Sequence, residues 1–75
     1  MTYGLHIDPS LHATYKSLPD GARRDLAVCL LDALADPIGA STPYGIFRTI
    51  AHGHTAGVIL IGNDTITLVQ INYVG

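Results

Sequence analysis

Arg48, His52 and His54 lie close together in the sequence, and Tyr73 follows in the last alternating segment. Together they could hold a phosphate and move a proton. An arginine grips phosphate oxygens, and a histidine with an ordinary pKa exchanges protons near neutral pH. Each also has a plainer reading. One cation is not a site, so an exposed strand arginine is the commoner case. His52 and His54 form His-x-His, but a metal needs three or four converging ligands, and His6 and His12 are distant in sequence. No metal or cofactor is therefore expected. A tyrosine such as Tyr73 usually packs its ring on the sheet and leaves its hydroxyl in water. Cys29 sits amid Val28, Leu30 and Leu31 with no histidine nearby, and reads as core filler rather than nucleophile. Lys16, Arg23 and Arg24 form a second basic group, either a solvated face or a contact for an acidic partner.

These side chains must be positioned by a chain of only 75 residues, which allows one small domain over 1–75. Apolar residues make up 48% and charged residues 13%, with a formal net charge of −2. A single core of this size supplies about 3–5 kcal/mol, and surplus apolar residues on such a chain usually end in an oligomer or partner interface. Lys16, Arg23, Arg24 and Arg48 are the whole complement of Lys and Arg, a poor provision for nucleic-acid binding by charge alone. The single cysteine suits a reducing compartment, so a cytoplasmic location is expected. No signal peptide or membrane span is expected, because no apolar run approaches ~18 residues.

Tyr3, Leu5 and Ile7 alternate with polar residues or glycine, the period of a half-buried strand. Asp8-Pro9 reads as N-cap and first helical position, and Leu11, Tyr15 and Leu18 give a short helix one apolar stripe. The second helix runs from Asp20 to Ala35, between Leu18-Pro19 and the stop at Asp36-Pro37. Its main face is Ala22, Leu26, Cys29, Leu30 and Ala33, and from Leu26 to Ala35 only Asp32 is polar. Such a helix needs cover on most of its circumference. One sheet face cannot cover Val28, Leu31 and Leu34, so these residues, with Arg23 and Arg24, are the expected partner-binding surface or homodimer contact. Ile38 to Gly45 reads as a loop. Ile46 to His52, Thr55 to Ile61 and Thr65 to Val74 read as strands, with turns at Gly53 and at Gly62-Asn63-Asp64. The expected fold is α+β in the order β-α-α-β-β-β: a helical hairpin on a twisted, mainly antiparallel, four-stranded sheet. Leu26, Leu30, Ala33, Val58, Leu60 and Leu68 are its expected core.

The order of elements, with Leu18-Pro19, the helix through Ala35, Asp36-Pro37 and the hairpin from Phe47-Arg48 to Ile61, resembles the RelE/ParE superfamily of bacterial type II toxins. The Ala-, Leu- and Asp-rich second helix is similar to that of a degenerate, actinobacterial-like member. The resemblance implies a toxin-like component that binds a cognate antitoxin, with the first strand paired to the last. RelE-like members cut ribosome-bound mRNA with basic and aromatic side chains on the sheet. Arg48 matches a basic position of that family, whereas Ile50 and Ala56 stand where it commonly carries cations. The resemblance thus implies RNA-cleaving activity that is weak or lost. Three other readings stay open. An active ribosome-dependent mRNA interferase would use Arg48, His52, His54 and Tyr73 as its catalytic set. A ParE-like gyrase inhibitor would need no such set. An unrelated small dimeric binding module would lie outside the family.

Overall fold

The computed structural model describes residues 3–73. Strand β1 (Gly4–Ile7) leads through a 3-10 turn (Pro9–Leu11) into α1 (His12–Ser17) and α2 (Asp20–Ala35). The chain then makes β2 (Thr42–Tyr44), β3 (Phe47–His52), β4 (Thr55–Ile61) and β5 (Thr65–Tyr73). The five strands form one sheet in the order β1-β5-β4-β3-β2. Only the β1–β5 pair is parallel; the other three pairs are antiparallel. Local chemistry sets the boundaries. The Asp8 carboxylate accepts the Ser10 N–H at 3.0 Å and caps the 3-10 turn, and Pro9 fills its first position. This hydrogen bond holds the Asp8 carboxyl below the usual aspartate range.

The sheet has one strand more than the four expected, because β2 lies inside the segment from Ile38 to Gly45 read as a loop. Tyr44 pairs with Phe47 across a two-residue turn, Gly45-Ile46, in which Gly45 takes φ +61°. Gly53 takes φ +60° in the equivalent position between His52 and Thr55. Glycine at the first position of a two-residue turn supplies the twist that antiparallel strands need.

The phase of β5 changes along its length. Ile59 pairs with Leu68 but Val58 pairs with Gln70, so Val69 is an extra residue, a β-bulge. Paired residues share a sheet face. Ile66 and Leu68 therefore face the helices before the bulge, and Ile71 and Tyr73 after it. The apolar pattern 66, 68, 71 matches that shift.

The core lies between α2 and this face. Leu26, Ile59, Ile66 and Leu68 have no exposure, and Leu18, Ala22, Cys29, Leu30, Ala33 and Ile50 complete the cluster. Gly57 sits close against Leu68, whose Cδ1 would lie 3.0 Å from a Cβ added there. The buried Thr55 hydroxyl donates to the Ala22 carbonyl at 3.3 Å, tying the start of β4 to α2. One expected core residue, Leu60, is corrected, and a second, Val58, is buried as expected but on the other face. Leu60 is 39% exposed on the helix-free face, and Ile59 takes the core place. Val58 is buried, but it shares the helix-free face with its pair partners Thr49 and Gln70. The run of apolar residues in β4 hid which alternate set faced the helix. The hairpin of helices is looser than expected, because α1 has no buried residue and only Leu18, just beyond it, enters the core.

Leu30→Ala should cost about 2–5 kcal/mol in urea denaturation, whereas Leu60→Ala should cost less than about 1 kcal/mol. Equal losses would mean that the two faces of β4 are misassigned. Burial pushes the Cys29 thiol up, and its Sγ lies 3.3 Å from the Leu26 carbonyl oxygen. An aromatic disulfide reagent should therefore label Cys29 only in denaturant, followed by absorbance of the released thiolate.

Candidate functional site

Arg48, His52 and Tyr73 do not stand on the helix-free face of the sheet. Arg48 pairs with Ile59 and His52 with Thr55, while Tyr73 pairs with Thr55 from the other side. All three therefore share the face on which α2 lies. Arg48 is bound to the segment that leaves α2. Its Nε donates to Ser41 Oγ at 2.5 Å, and its Nη2 donates to the carbonyls of Ser41 at 3.2 Å and Ile38 at 3.3 Å. Ser41 in turn donates its hydroxyl to the Pro37 carbonyl. His52 lies at the other end of the strand, with Nε2 3.9 Å from Asp25 Oδ1 on α2. Four residues of β4, from Thr55 to Ile59, separate the two levels by about 13 Å, too far for one reacting group. His54 is at the exposed tip of the β3–β4 turn.

The helix-free face presents His6 from β1, Thr65, Thr67, Gln70 and Asn72 from β5, and Ala56, Val58 and Leu60 from β4. Thr49 and Ala51 follow from β3. None of the Lys or Arg residues is on it. Ile50, one of the two positions where a cation is common in the resembled family, pairs with Gly57 on the helix side and is a core residue. A cation at Ile50 would point into the core, so its apolar character follows from packing. Ala56 pairs with Asn72 on the helix-free face and presents only a methyl group there. Among the described residues, no three or more His, Cys, Asp or Glu side chains converge as a metal site would require. Among the described residues no helix is long and apolar enough to cross a membrane.

A groove of about 500 Å³ is found where the sheet edge meets the two helices. β1 contributes Leu5 and Ile7, α1 contributes His12 and Tyr15, and α2 contributes Ala27, Leu30, Leu31 and Leu34. Of the expected partner surface, Leu31 and Leu34 line this groove directly, and Leu31 is 65% exposed. Val28 is half-buried and is not among the lining residues, and Arg23 pairs with Asp20 on the same helix. Arg24 is three residues before Ala27 and seven before Leu31, hence on the groove-facing stripe. Leu5 and Tyr15 were not among the expected partner residues. Their signal was the apolar stripe of each element taken together with an unpartnered helix.

No family model and no curated relative matches the chain in sequence. Solved structures do match it in shape. A mutant of the Escherichia coli toxin RelE in the free state has a TM-score of 0.84 at 19% identity, over 97% of this chain and 84% of that one. The Mycobacterium tuberculosis toxin–antitoxin complex RelBE2 also has a TM-score of 0.84, at 13% identity, over 99% of this chain and 100% of that one. The archaeal RelE–RelB complex from Pyrococcus horikoshii has a TM-score of 0.75 at 14% identity, over 97% and 96%. The helices over one face of this bulged sheet, with β1 returned beside β5, give the chain the fold of the RelE toxins.

Proposed function

We propose that this chain is the toxin-like component of a type II toxin–antitoxin system, acting in the cytoplasm through a protein partner, with RNA-cleaving activity weak or lost. The likeness in fold to RelE supports the first part, and two of the three similar structures are complexes with antitoxins. The helix-free face carries the second. Cleavage at a ribose 2′-hydroxyl needs preorganised cations where phosphate charge develops, and removing one such donor typically costs ~10²–10³ in rate. On this chain that face holds no lysine or arginine at all. His6, the histidine on that face, has no cation beside it, and a proton-transfer group without phosphate stabilisation is half of a mechanism. Arg48, His52 and Tyr73 share the helix side of the sheet, and Arg48 is hydrogen-bonded to the segment after α2.

Inducible expression should arrest growth, and co-expression of the neighbouring reading frame should relieve the arrest. Purified protein added to translating ribosomes should leave mRNA intact in a primer-extension assay. Codon-specific cleavage that disappears in His54→Ala would restore the ribonuclease reading. No arrest, and no interaction with a neighbouring gene product, would remove the toxin reading altogether.

Arg48→Ala should lower stability by about 0.5–1.5 kcal/mol, because it removes the hydrogen bonds that tie β3 to Ser41 and the Ile38 carbonyl. Arg48→Lys should recover only part, since one ammonium cannot span the same three acceptors. Urea denaturation of both variants measures this. Unchanged stability in Arg48→Ala would release Arg48 for a functional role.

A further inference from the structure

We propose that the helix-free face of the sheet is covered by the same face of a second copy of this chain. A two-fold axis beside Gln70 and Asn72 would relate the two copies. The inference goes beyond the toxin reading and stands without it.

Charge is the first argument. Arg48 is turned to the helix side, and the other Lys and Arg residues lie on α1 and α2. Of the six acidic residues, Asp20, Asp25 and Asp32 are on α2 and Asp36 ends that helix. Asp8 caps the 3-10 turn, and Asp64 stands in the turn before β5. None of these ten residues belongs to the helix-free face, where His6, at the β1 corner, is the one basic side chain. A charged face laid on its own copy sets like charges together at the axis; this one does not. The same lack of charge leaves little to attract a nucleic acid.

The amide pair gives the contact its direction. Gln70 and Asn72 are successive residues of β5 on this face, and Gln70 Nε2 donates to Asn72 Oδ1 at 3.0 Å. That bond leaves Gln70 Oε1 as an acceptor and Asn72 Nδ2 as a donor, both without a partner among the described residues. A two-fold axis brings the acceptor of each copy to the donor of the other, so the same hydrogen bond forms twice. No lysine or aspartate could pair with its own copy in this way. Ala51 and Ala56 share a row with Asn72 across the sheet, so only methyl groups stand between the copies there.

Apolar area lies at the other end of the face. Tyr44 is 63% exposed and pairs with Phe47, which lies with Leu60 one step beyond the Arg48–Ile59 pair. Five strands about 4.8 Å apart, each with three same-face residues about 6.7 Å apart, make a face of roughly 480 Å². A dimer would then bury about 1,000 Å² in all, the lower bound of a specific interface, so association in the micromolar range is expected. The helices and the groove remain on the outer sides of such a dimer.

Sedimentation equilibrium of the full chain, from about 1 μM to about 1 mM, should show monomer giving way to dimer. Gln70→Glu sets two carboxylates together at the axis, and Gln70→Lys sets two ammonium groups there. Each should weaken the dimer about tenfold or more. An equimolar mixture of the two variants should associate again, and thermal melts confirm that each is folded. A residue that only supported the fold would show no such rescue. A monomer at every concentration, a dimer untouched by either variant, or a mixture that stays monomeric overturns the proposal. Loss of the dimer in Leu31→Glu would place the contact at the groove and overturn it as well. So would a monomer whose Gln70 and Asn72 side-chain amide NMR signals move on adding a single-stranded RNA oligonucleotide, because the face would then belong to nucleic acid.

Discussion

Helix α2 is apolar around much of its circumference, and the chain has one sheet face to lay it on. That mismatch governs most of what the molecule does. Leu26, Leu30 and Ala33 go to the sheet, where Ile59, Ile66 and Leu68 are fully buried with them. Leu31 and part of Leu34 are left on the far side, and α1 is too short and too loosely seated to reach them. At roughly 25 cal/mol per Å² of apolar surface, covering such a stripe is among the larger stabilisations still open to a domain of this size. The groove is thus a consequence of element lengths. Six residues of α1 cannot cover sixteen of α2.

The elements themselves were legible where local chemistry was strong. Proline on either side of α2 fixed its bounds, and Asp8-Pro9 marked the turn that opens the helical region. β2 was missed because the glycine, serine and proline around it read as a loop, although Tyr44-Gly45-Ile46-Phe47 carries the same glycine-first turn as His52-Gly53-His54-Thr55. The exposure of Ile46, at 81%, shows the price of that turn: its second position faces water whatever residue occupies it. Register was harder still. Ile59 and Leu60 are indistinguishable by hydropathy, and only the pairing of Ile59 with Leu68 separates them.

The candidate site was less legible than the fold for a related reason. Assigning side chains to faces requires the phase of every strand, and the bulge at Val69 reverses it midway along β5. Without the bulge Tyr73 would share a face with Val58 and Thr49; with it, Tyr73 shares one with Thr55 and α2. Arg48 and His52 follow the same face through β3 and β4. Residue types suited to phosphate chemistry were present at a plausible spacing, but spacing along a strand fixes a face only once the register is known. The partner surface was more legible because it depends on helical phase alone. Leu31 and Leu34 follow from the period of α2 without any knowledge of the sheet.

The distribution of the four Lys and Arg residues then separates two kinds of chemistry that share this architecture. A nuclease on such a sheet must keep cations on the helix-free face, unpaired and aimed at one point. Here one arginine holds the exit of α2, one is paired within its helix, and Lys16 and Arg24 lie on α1 and α2. Apart from the His6 imidazole, the polar groups of the helix-free face are amides and hydroxyls, which hydrogen-bond without carrying charge. The Lys and Arg side chains of this chain therefore all lie on the side of the sheet that carries the helices.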